Sequence, residues 1–311
     1  MSRVVARKLG TLATLRKHRG LVLMALPVVA FFIVFSYIPM YGLVIAFKDF
    51  SISEGILGGR WIGLENFATL FGGDEFPQVI RNTLVISLLR LVFGFAGPIV
   101  LALLINEVRL GWYKRTVQTL TYLPYFFSWV LLAGIFRMLL ARDGAINSVI
   151  CSIAGPEAAV PFLTSNAWFI AVIIITAVWQ GLGYGAVIYL AALSGISPTL
   201  YEAAVVDGAG RWKQTLHITL PALVPTMVTL FILSLGGILN VGFDQIYNMY
   251  NPNVYEWGDV LDTYVIRLMQ EQMDFAGGAA AGMFKSVVSL VLIVLVNSVT
   301  KKISKGEQGI W

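Results

Sequence analysis

Charged residues are scarce in this sequence. Only 13% of its 311 residues are Asp, Glu, Lys or Arg, whereas a soluble domain carries about 25%. Hydrophobic residues make up 58% of the chain and occur in long blocks. So few charges cannot cover a water-exposed surface. A helix needs roughly 20 apolar residues to cross a bilayer. The composition therefore excludes a pair of soluble domains and predicts a membrane protein.

Cysteine and histidine are nearly absent as well. The single cysteine, Cys151, excludes an intrachain disulfide and a cysteine metal site. The two histidines, His18 and His217, both fall near the predicted cytoplasmic face, so no metal site is expected. No HExxH or GxSxG motif and no paired carboxylates within a span point to catalysis, so we expect no enzyme activity in this chain.

The apolar blocks predict an all-α, polytopic protein of about six transmembrane helices. The first block is too long for a signal-peptide core and lacks a small-residue cleavage site, so we interpret it as a retained helix. Prolines within it are tolerable in a membrane helix. The predicted spans are Leu21–Phe47, Thr83–Asn106, Leu120–Leu140, Ala167–Leu193, Val224–Phe243 and Ala279–Val299.

Basic residues predict the orientation of these spans. The N-terminal tail, the second-to-third and fourth-to-fifth connections and the C-terminal tail together hold 14 Lys and Arg, and the opposite connections hold 5. Both termini are therefore expected in the cytoplasm, with tails at 1–20 and 301–311 and a permease domain at 21–300. The net charge is +5, but the basic residues lie between apolar blocks rather than on one face, so no nucleic-acid partner is expected.

The connection at 194–223 carries the most informative pattern. Ser197 followed by Pro198 is a typical helix start, and Gly208 and Gly210 would end the helix. The small residues Ala203 and Ala204 would leave a flat face on which another protein could dock closely. An ordinary surface loop is the alternative.

This connection resembles the EAA loop of ABC-importer permeases. The matching residues follow the spacing EAA-x2-DGA-x8-I-x-LP: Glu202, Ala203, Ala204, Asp207, Gly208, Ala209, Ile218, Leu220 and Pro221. The resemblance implies a type I ABC-importer permease fold in which this loop forms a coupling helix seated in a cleft of an ATPase subunit. It implies a polar contact for Glu202 at that joint and a turn at Gly208.

Further stretches are similar to the LplB-type branch of carbohydrate permeases, which includes importers of oligosaccharides rich in uronic acids, such as alginate or pectin fragments. The family implies a second permease subunit, two ATPase subunits that hold ATP and Mg²⁺, an extracytoplasmic solute-binding protein and a bacterial inner-membrane location. No nucleotide site or other cofactor site is expected in this chain. The stretches are YIPMYGLVIAFKDF (37–50), WIGLENFATLF (61–71), ALLINEV (102–108), TVQTLTYLPYFFSWV (116–130) and IYLAALSGISPTLYEAA (188–204).

Three cations fall inside predicted spans: Arg90, Arg137 and Lys285. Charges inside a membrane are costly and usually face a cavity or the interior of a bundle. One hypothesis is that one or more of them faces an anionic substrate such as a uronate chain. The alternative is snorkelling, or pairing with an acid near a helix end.

A second group of candidate substrate residues lies in the predicted fourth and fifth spans. Aromatic rings pack on the C–H faces of sugars, amides bond their hydroxyls, and glycine permits close approach. In related maltose-type permeases a glycine and a tyrosine about 20 residues before the EAA glutamate line the sugar site. Gly181 and Tyr184 stand at comparable offsets. Helix packing and interfacial anchoring are the alternative roles. The candidates are Trp179, Gln180, Gly181, Tyr184, Asn240 and Asp244.

The sequence thus predicts a permease subunit that carries an oligosaccharide by alternating access and performs no chemistry itself. Three alternatives stay open. A secondary transporter or channel subunit would need its own coupling-ion site. An intramembrane enzyme would need a nucleophile and a base within the spans. A membrane scaffold would transport nothing.

Overall fold

The computed structural model describes residues 18–303, with side chains through Ser298. Most of the two predicted tails lies outside this range, so their placement stays a prediction. The described chain is helical apart from a short antiparallel ribbon of β1 (Lys48–Asp49) and β2 (Arg60–Trp61). The longer helices are α1 (Arg19–Phe47), α2 (Glu65–Gly72), α3 (Glu75–Glu107), α4 (Gly111–Phe126), α5 (Trp129–Leu140), α6 (Ala145–Ala154), α7 (Asn166–Ser194), α8 (Pro198–Val206), α9 (Arg211–Gly236), α10 (Phe243–Met249), α11 (Tyr255–Gly258), α12 (Leu261–Gln270) and α13 (Phe275–Ile303).

Five of the described helices are long and apolar enough to cross a membrane: α1, α3, α7, α9 and α13. A sixth span is possible if α4 and the segment Trp129–Ala154 count as one broken span, since they meet at an angle of 101°. The prediction of an all-α protein with about six spans is confirmed.

Two of the predicted spans differ from the structure. The segment Leu120–Leu140 is not one helix. A tight 3-10 turn, Leu123–Phe126, contains Pro124, and Ser128 then caps a new helix through its Oγ, which accepts from the backbone N–H of Leu131. The predicted fifth span ends at Gly236 rather than at Phe243. Adjacent glycines there favour a break, and Gly242 adopts a left-handed φ of 75° that other residues rarely take.

Helices α3 and α7 form the centre of the fold and pack most extensively against each other. Small residues allow this approach. A Cβ on Gly183 would lie 2.2 Å from the carbonyl oxygen of Thr121 in α4, and one on Gly185 would lie 2.8 Å from the ring of Pro98 in α3. Close approach through glycine is the usual basis of helix packing in membranes.

Helix α1 is packed very differently. None of the residues in its first segment, Arg19–Phe32, is buried, although the segment is strongly apolar. It contains Pro27 and continues through a π-helical turn, Ile33–Tyr37, and a 3-10 segment, Tyr41–Phe47. A helix that is apolar on all sides and unburied in its own chain needs lipid or another protein around it.

Helices α11 and α12, between α9 and α13, pack on α3 on the side opposite α8, and we call this region the cap. Asp259 is buried there and receives bonds from Arg267 Nη2 (2.9 Å) and from the hydroxyl of Thr263 (2.6 Å). Arg267 also contacts Glu75 at the start of α3, at 3.1 Å. Burial raises the pKa of Asp259 above its ordinary value, and the bond from Thr263 and the charge of Arg267 oppose that rise. The arginine therefore stabilises a buried carboxylate while joining α12 to α3.

We expect Arg267→Met to destabilise this cap strongly, because it leaves Asp259 buried without its partner, a change that costs about 3–5 kcal/mol. The melting temperature of the purified protein in detergent would measure it. The double substitution Arg267→Met with Asp259→Leu should recover most of the loss. Arg211→Met, which breaks an exposed ion pair with Glu107, is the matched control; an equal melting temperature for both arginine variants would contradict the assignment.

Candidate coupling helix and translocation cavities

The predicted docking segment is a short helix, α8. It begins at Pro198 and ends at Val206, and Gly208 follows with a φ of 74°. The N–H of Ala209 donates to the carbonyl of Ala204 (2.8 Å), which closes the last turn. Ser197 precedes the helix as expected, but its hydroxyl bonds to that of Thr199 (2.7 Å) rather than to a backbone N–H. The expected start and end of this helix are therefore observed.

The outer face of α8 is unprotected within this chain. No residue of the helix is buried. Glu202 and Ala203 are exposed, Ala204 and Ala209 are half-buried, and Val206 is 88% exposed. Val205 beside it is also exposed, and contiguous exposed apolar residues next to small side chains favour a contact surface for another protein. The structure leaves this face open.

Helix α8 is tied to the spans behind it. The hydroxyls of Tyr201 and Thr219 are 3.0 Å apart, and Gln214 Nε2 donates to the carbonyl of Ala209 (2.8 Å). Both partners lie at the start of α9, where a π-helical turn, Thr215–Thr219, leads into the apolar part of the span. The motif residues Ile218, Leu220 and Pro221 lie in this same stretch, so the EAA-like pattern covers both α8 and its attachment to α9.

Two cavities meet where α9 ends. The smaller, of about 310 Å³, lies between α3, α7 and α9 and is lined in part by Ser87, Arg90 and Asn240. The larger, of about 820 Å³, lies between the end of α9, α12 and α13 and is lined in part by Asn240, Asp262 and Lys285. Asn240 lines both. It belongs to the non-helical segment 237–242, rather than to the span in which the sequence placed it.

The three predicted cations have three different environments. Arg90 lies near the middle of the 33-residue helix α3 and donates through Nη1 to the carbonyl of Val241 (2.5 Å) and to Oε1 of Gln245 (2.8 Å). Lys285 pairs with Asp262 Oδ1 at 2.5 Å and donates to Asn240 Oδ1 at 3.2 Å. The pairing alternative therefore applies to Lys285.

Arg137 differs from the other two. It is exposed in the last turn of α5, and its Nη2 donates to the carbonyl of Tyr250 (3.3 Å). This position fits snorkelling to the interface better than a place in either cavity.

The candidates on α7 do not form one site. Trp179 faces an apolar groove between α3 and α7 and packs edge-to-face on Phe136, with ring centroids 5.7 Å apart. Tyr184 stacks on Tyr125, with ring centroids 4.0 Å apart. A Cβ on Gly181 would meet nothing within 4 Å, so its side of the helix is open. The remaining two, Gln180 and Asp244, are half-buried and exposed respectively, and neither lines either polar cavity.

Sequence reasoning missed three residues that line the cavities or hold a residue that does. Gln245 holds Arg90 and donates in turn to Thr176 Oγ1 (2.7 Å) and to the carbonyl of Ile173 (2.8 Å). Neither Asp262 nor Ser87 is singled out in the sequence analysis. Their partners are 23 or more positions away or absent, so local sequence patterns carry no signal for them. Within residues 18–303, no group of three or more metal-ligating side chains occurs.

Comparison with known proteins decides the class. The family of binding-protein-dependent transport system inner membrane components matches residues 94–305. This chain belongs to that family. It is therefore a multi-pass permease subunit of an ABC importer, as the EAA-like loop indicated, and the resemblance to the LplB-type branch is confirmed.

Its relatives are similar along nearly the whole chain. The polygalacturonan/rhamnogalacturonan transport system permease protein YteP of Bacillus subtilis is 42% identical over 96% of this chain and 92% of its own length. Protein LplB of the same organism is 40% identical over 94% and 91%. A similar chain occurs in the crystal structure of a bacterial ABC transporter involved in the import of the acidic polysaccharide alginate. It is 40% identical to this chain with a TM-score of 0.85, and the match covers 93% of this chain and 98% of that chain.

The two neighbouring glycines of α7 give a matched test of packing against access. Gly183→Ala should impair folding, since the added Cβ would collide with the backbone of α4. Gly181→Ala should leave the melting temperature of the purified permease unchanged, because its position is open. Equal melting temperatures for the two variants would contradict this packing.

A double-mutant cycle tests the role of Lys285. We expect Lys285→Met to destabilise the permease by less than the roughly 3–5 kcal/mol of a fully buried pair, since it strands Asp262 in a half-buried site, and Lys285→Met with Asp262→Leu to restore stability. The melting temperature and the sugar import of all four proteins would be compared. Import that stays lost in the double variant despite restored stability would assign Lys285 a role beyond the ion pair.

Proposed function

We propose that this chain forms half of the translocation pathway of an importer for acidic oligosaccharides such as uronate oligomers. Its partners are a second homologous permease, two ATPase subunits that bind ATP and Mg²⁺, and an extracytoplasmic solute-binding protein. The protein resides in the bacterial inner membrane with both termini in the cytoplasm. Transport proceeds by alternating access, and the chain has no catalytic site of its own.

The observation that carries the proposal is the exposed helix α8 and its bonds to α9. Tyr201 and Gln214 join the helix to the start of the span, and the far end of the same span borders both polar cavities. A displacement of α8 by a hydrolysing ATPase would therefore move one wall of each cavity. The family motif at Glu202, Ala203 and Ala204 supports an ATPase cleft as the occupant of the exposed face.

The substrate class is supported by the relatives and by the cavities. Polygalacturonan and alginate, named for two of the relatives, are both polymers of acidic sugars. Besides apolar residues and Asp262, which pairs with Lys285, the cavities are lined by amide, hydroxyl and cationic groups, which suit hydroxyl-rich and acidic ligands. A solved alginate transporter in complex with an alginate-bound periplasmic protein, whose permease chain is 39% identical to this one, supports a binding-protein partner.

The remaining partners are supported by surface and charge. The unburied apolar face of α1 fits a second permease subunit and surrounding lipid. Six spans would return the chain to its starting side, and the excess of Lys and Arg on that side supports a cytoplasmic location for both termini and for α8.

Ala203→Trp tests the coupling joint. The bulky ring should prevent α8 from seating in a cleft shaped for alanine, and we expect sugar import and binding-protein-stimulated ATP hydrolysis to fall about tenfold or more, since overpacking costs about 1–3 kcal/mol. Both would be measured in liposomes with the complete complex.

Ala145→Trp on the exposed helix α6 is the matched control, because it adds the same bulk on the other side of the molecule. Import and stimulated hydrolysis at control levels in the Ala203→Trp complex would show that α8 is not the joint.

A further inference from the structure

Of the three cations within the spans, Arg90 alone is both in a polar cavity and without an acidic partner. Lys285 is neutralised by Asp262, and Arg137 is exposed outside both cavities. No carboxylate of the described residues lies within 4 Å of the Arg90 guanidinium. A full positive charge near the middle of a membrane helix is costly without an anion. The structure thus holds a charge that lacks its counter-ion.

Two of the five N–H donors of the guanidinium are already used by the fold. Both hydrogen bonds of Arg90 use Nη1, and within residues 18–303 Nε and Nη2 donate to no protein atom. Gln245 fixes this orientation, since it is fully buried and is itself held by Thr176 and the backbone of Ile173. The unused edge of the guanidinium is therefore preorganised, and a planar pair of N–H donors matches a carboxylate in two-point geometry.

A second donor without a partner lines the same cavity. Ser87 lies one turn before Arg90 on α3, is 4% exposed, and its Oγ has no hydrogen-bond partner among the residues that the structure describes. Serines within helices usually donate to a carbonyl of the preceding turn. In this protein the hydroxyls of Ser148, Ser234 and Ser286 do so, at 2.8–3.0 Å. A buried hydroxyl that forgoes this bond and borders a cavity is a candidate ligand donor.

We propose that the 310 Å³ cavity binds a carboxylate of the transported sugar, with the free edge of Arg90 as the charged donor and the Ser87 hydroxyl as the second donor. Asn240, which lines this cavity and the larger one, marks the connection between them. The inference rests on the proposed function and names the feature of the substrate that this subunit selects, a negatively charged uronate group.

Import of a matched pair of sugars tests the site. The complete complex with its binding protein would be reconstituted in liposomes and supplied with a trigalacturonate or with its methyl ester, which keeps the backbone and removes the charge. We expect Arg90→Gln to lower import of the acid about tenfold or more, since hydrogen bonds to charged groups contribute about 1.5–3 kcal/mol. Import of the ester should change little. Glutamine can still donate to the carbonyl of Val241.

Three further variants make the result specific. Arg90→Lys keeps the charge without the two-point geometry and should retain part of the acid import. Ser87→Ala removes a hydroxyl on which the fold does not depend, and should lower acid import about threefold to tenfold. Arg142→Gln, at an exposed position on the outer side, is the control for loss of a cation.

The outcomes separate the two proposals. If the assembled Ser87→Ala and Arg90→Gln complexes import the acid as well as the wild type does, the carboxylate site is overturned and the importer proposal stands. Equal losses of acid and ester import in those variants would also overturn it, because the damage would then be independent of charge. A wild-type complex that imports neither sugar would overturn the proposed function, and the inference with it.

Discussion

A backbone that leaves the helical conformation at membrane depth must bond its polar groups within the protein, because lipid offers no partners. This constraint governs the centre of the permease. Helix α9 ends at Gly236 and α10 begins at Phe243, and the carbonyl of Val241 between them is held by Arg90 from α3. The arginine thereby stabilises a break that a purely apolar bundle would not tolerate. The break in turn creates the polar cavities on either side of it.

The same break lies at one end of α9, and α8 is bonded to the other end. From α8, the bond of Tyr201 to Thr219 and that of Gln214 to Ala209 lead into α9, and α9 runs without interruption to Gly236. Glu107, at the C-terminal end of α3, contacts Arg211 at the start of α9. Helix α9 therefore joins the surface where force would enter to the cavities where a solute would lie. Helix α3 contacts the start of α9 through Glu107 and the segment after its end through Arg90.

The sequence predicted the parts of this arrangement that depend on local chemistry. Long apolar blocks identified the spans because each helix must be apolar over its whole length. The bounds of α8 followed from Pro198 and Gly208, whose backbone preferences are local. The bend at Ser128 and the end of α9 were missed, because the hydropathy of those segments does not fall where the helices break. The roles assigned to the α7 residues stay predictions.

Long-range pairing is what a single sequence could not supply. Lys285 and Asp262 are 23 positions apart, and Arg267 and Glu75 are 192 apart. Neither separation corresponds to a helical repeat, so only the packed fold brings the partners together. The three intramembrane cations illustrate the consequence. In the sequence each is simply a cation in an apolar run. In the fold, Lys285 is neutralised, Arg137 is exposed, and Arg90 borders a cavity with unused donors.

Arg90 combines two tasks that make opposite demands on substitution. Its Nη1 stabilises the break after α9, a task that several donor side chains could perform. Its free edge, in the proposed role, needs the charge and the planar geometry that only arginine has. A glutamine there would preserve the fold and remove the charge, whereas a leucine would leave the carbonyl of Val241 unbonded and threaten the fold itself. If Arg90 has the proposed role, selectivity for an acidic solute could be changed without rebuilding the bundle, but the position could not become apolar.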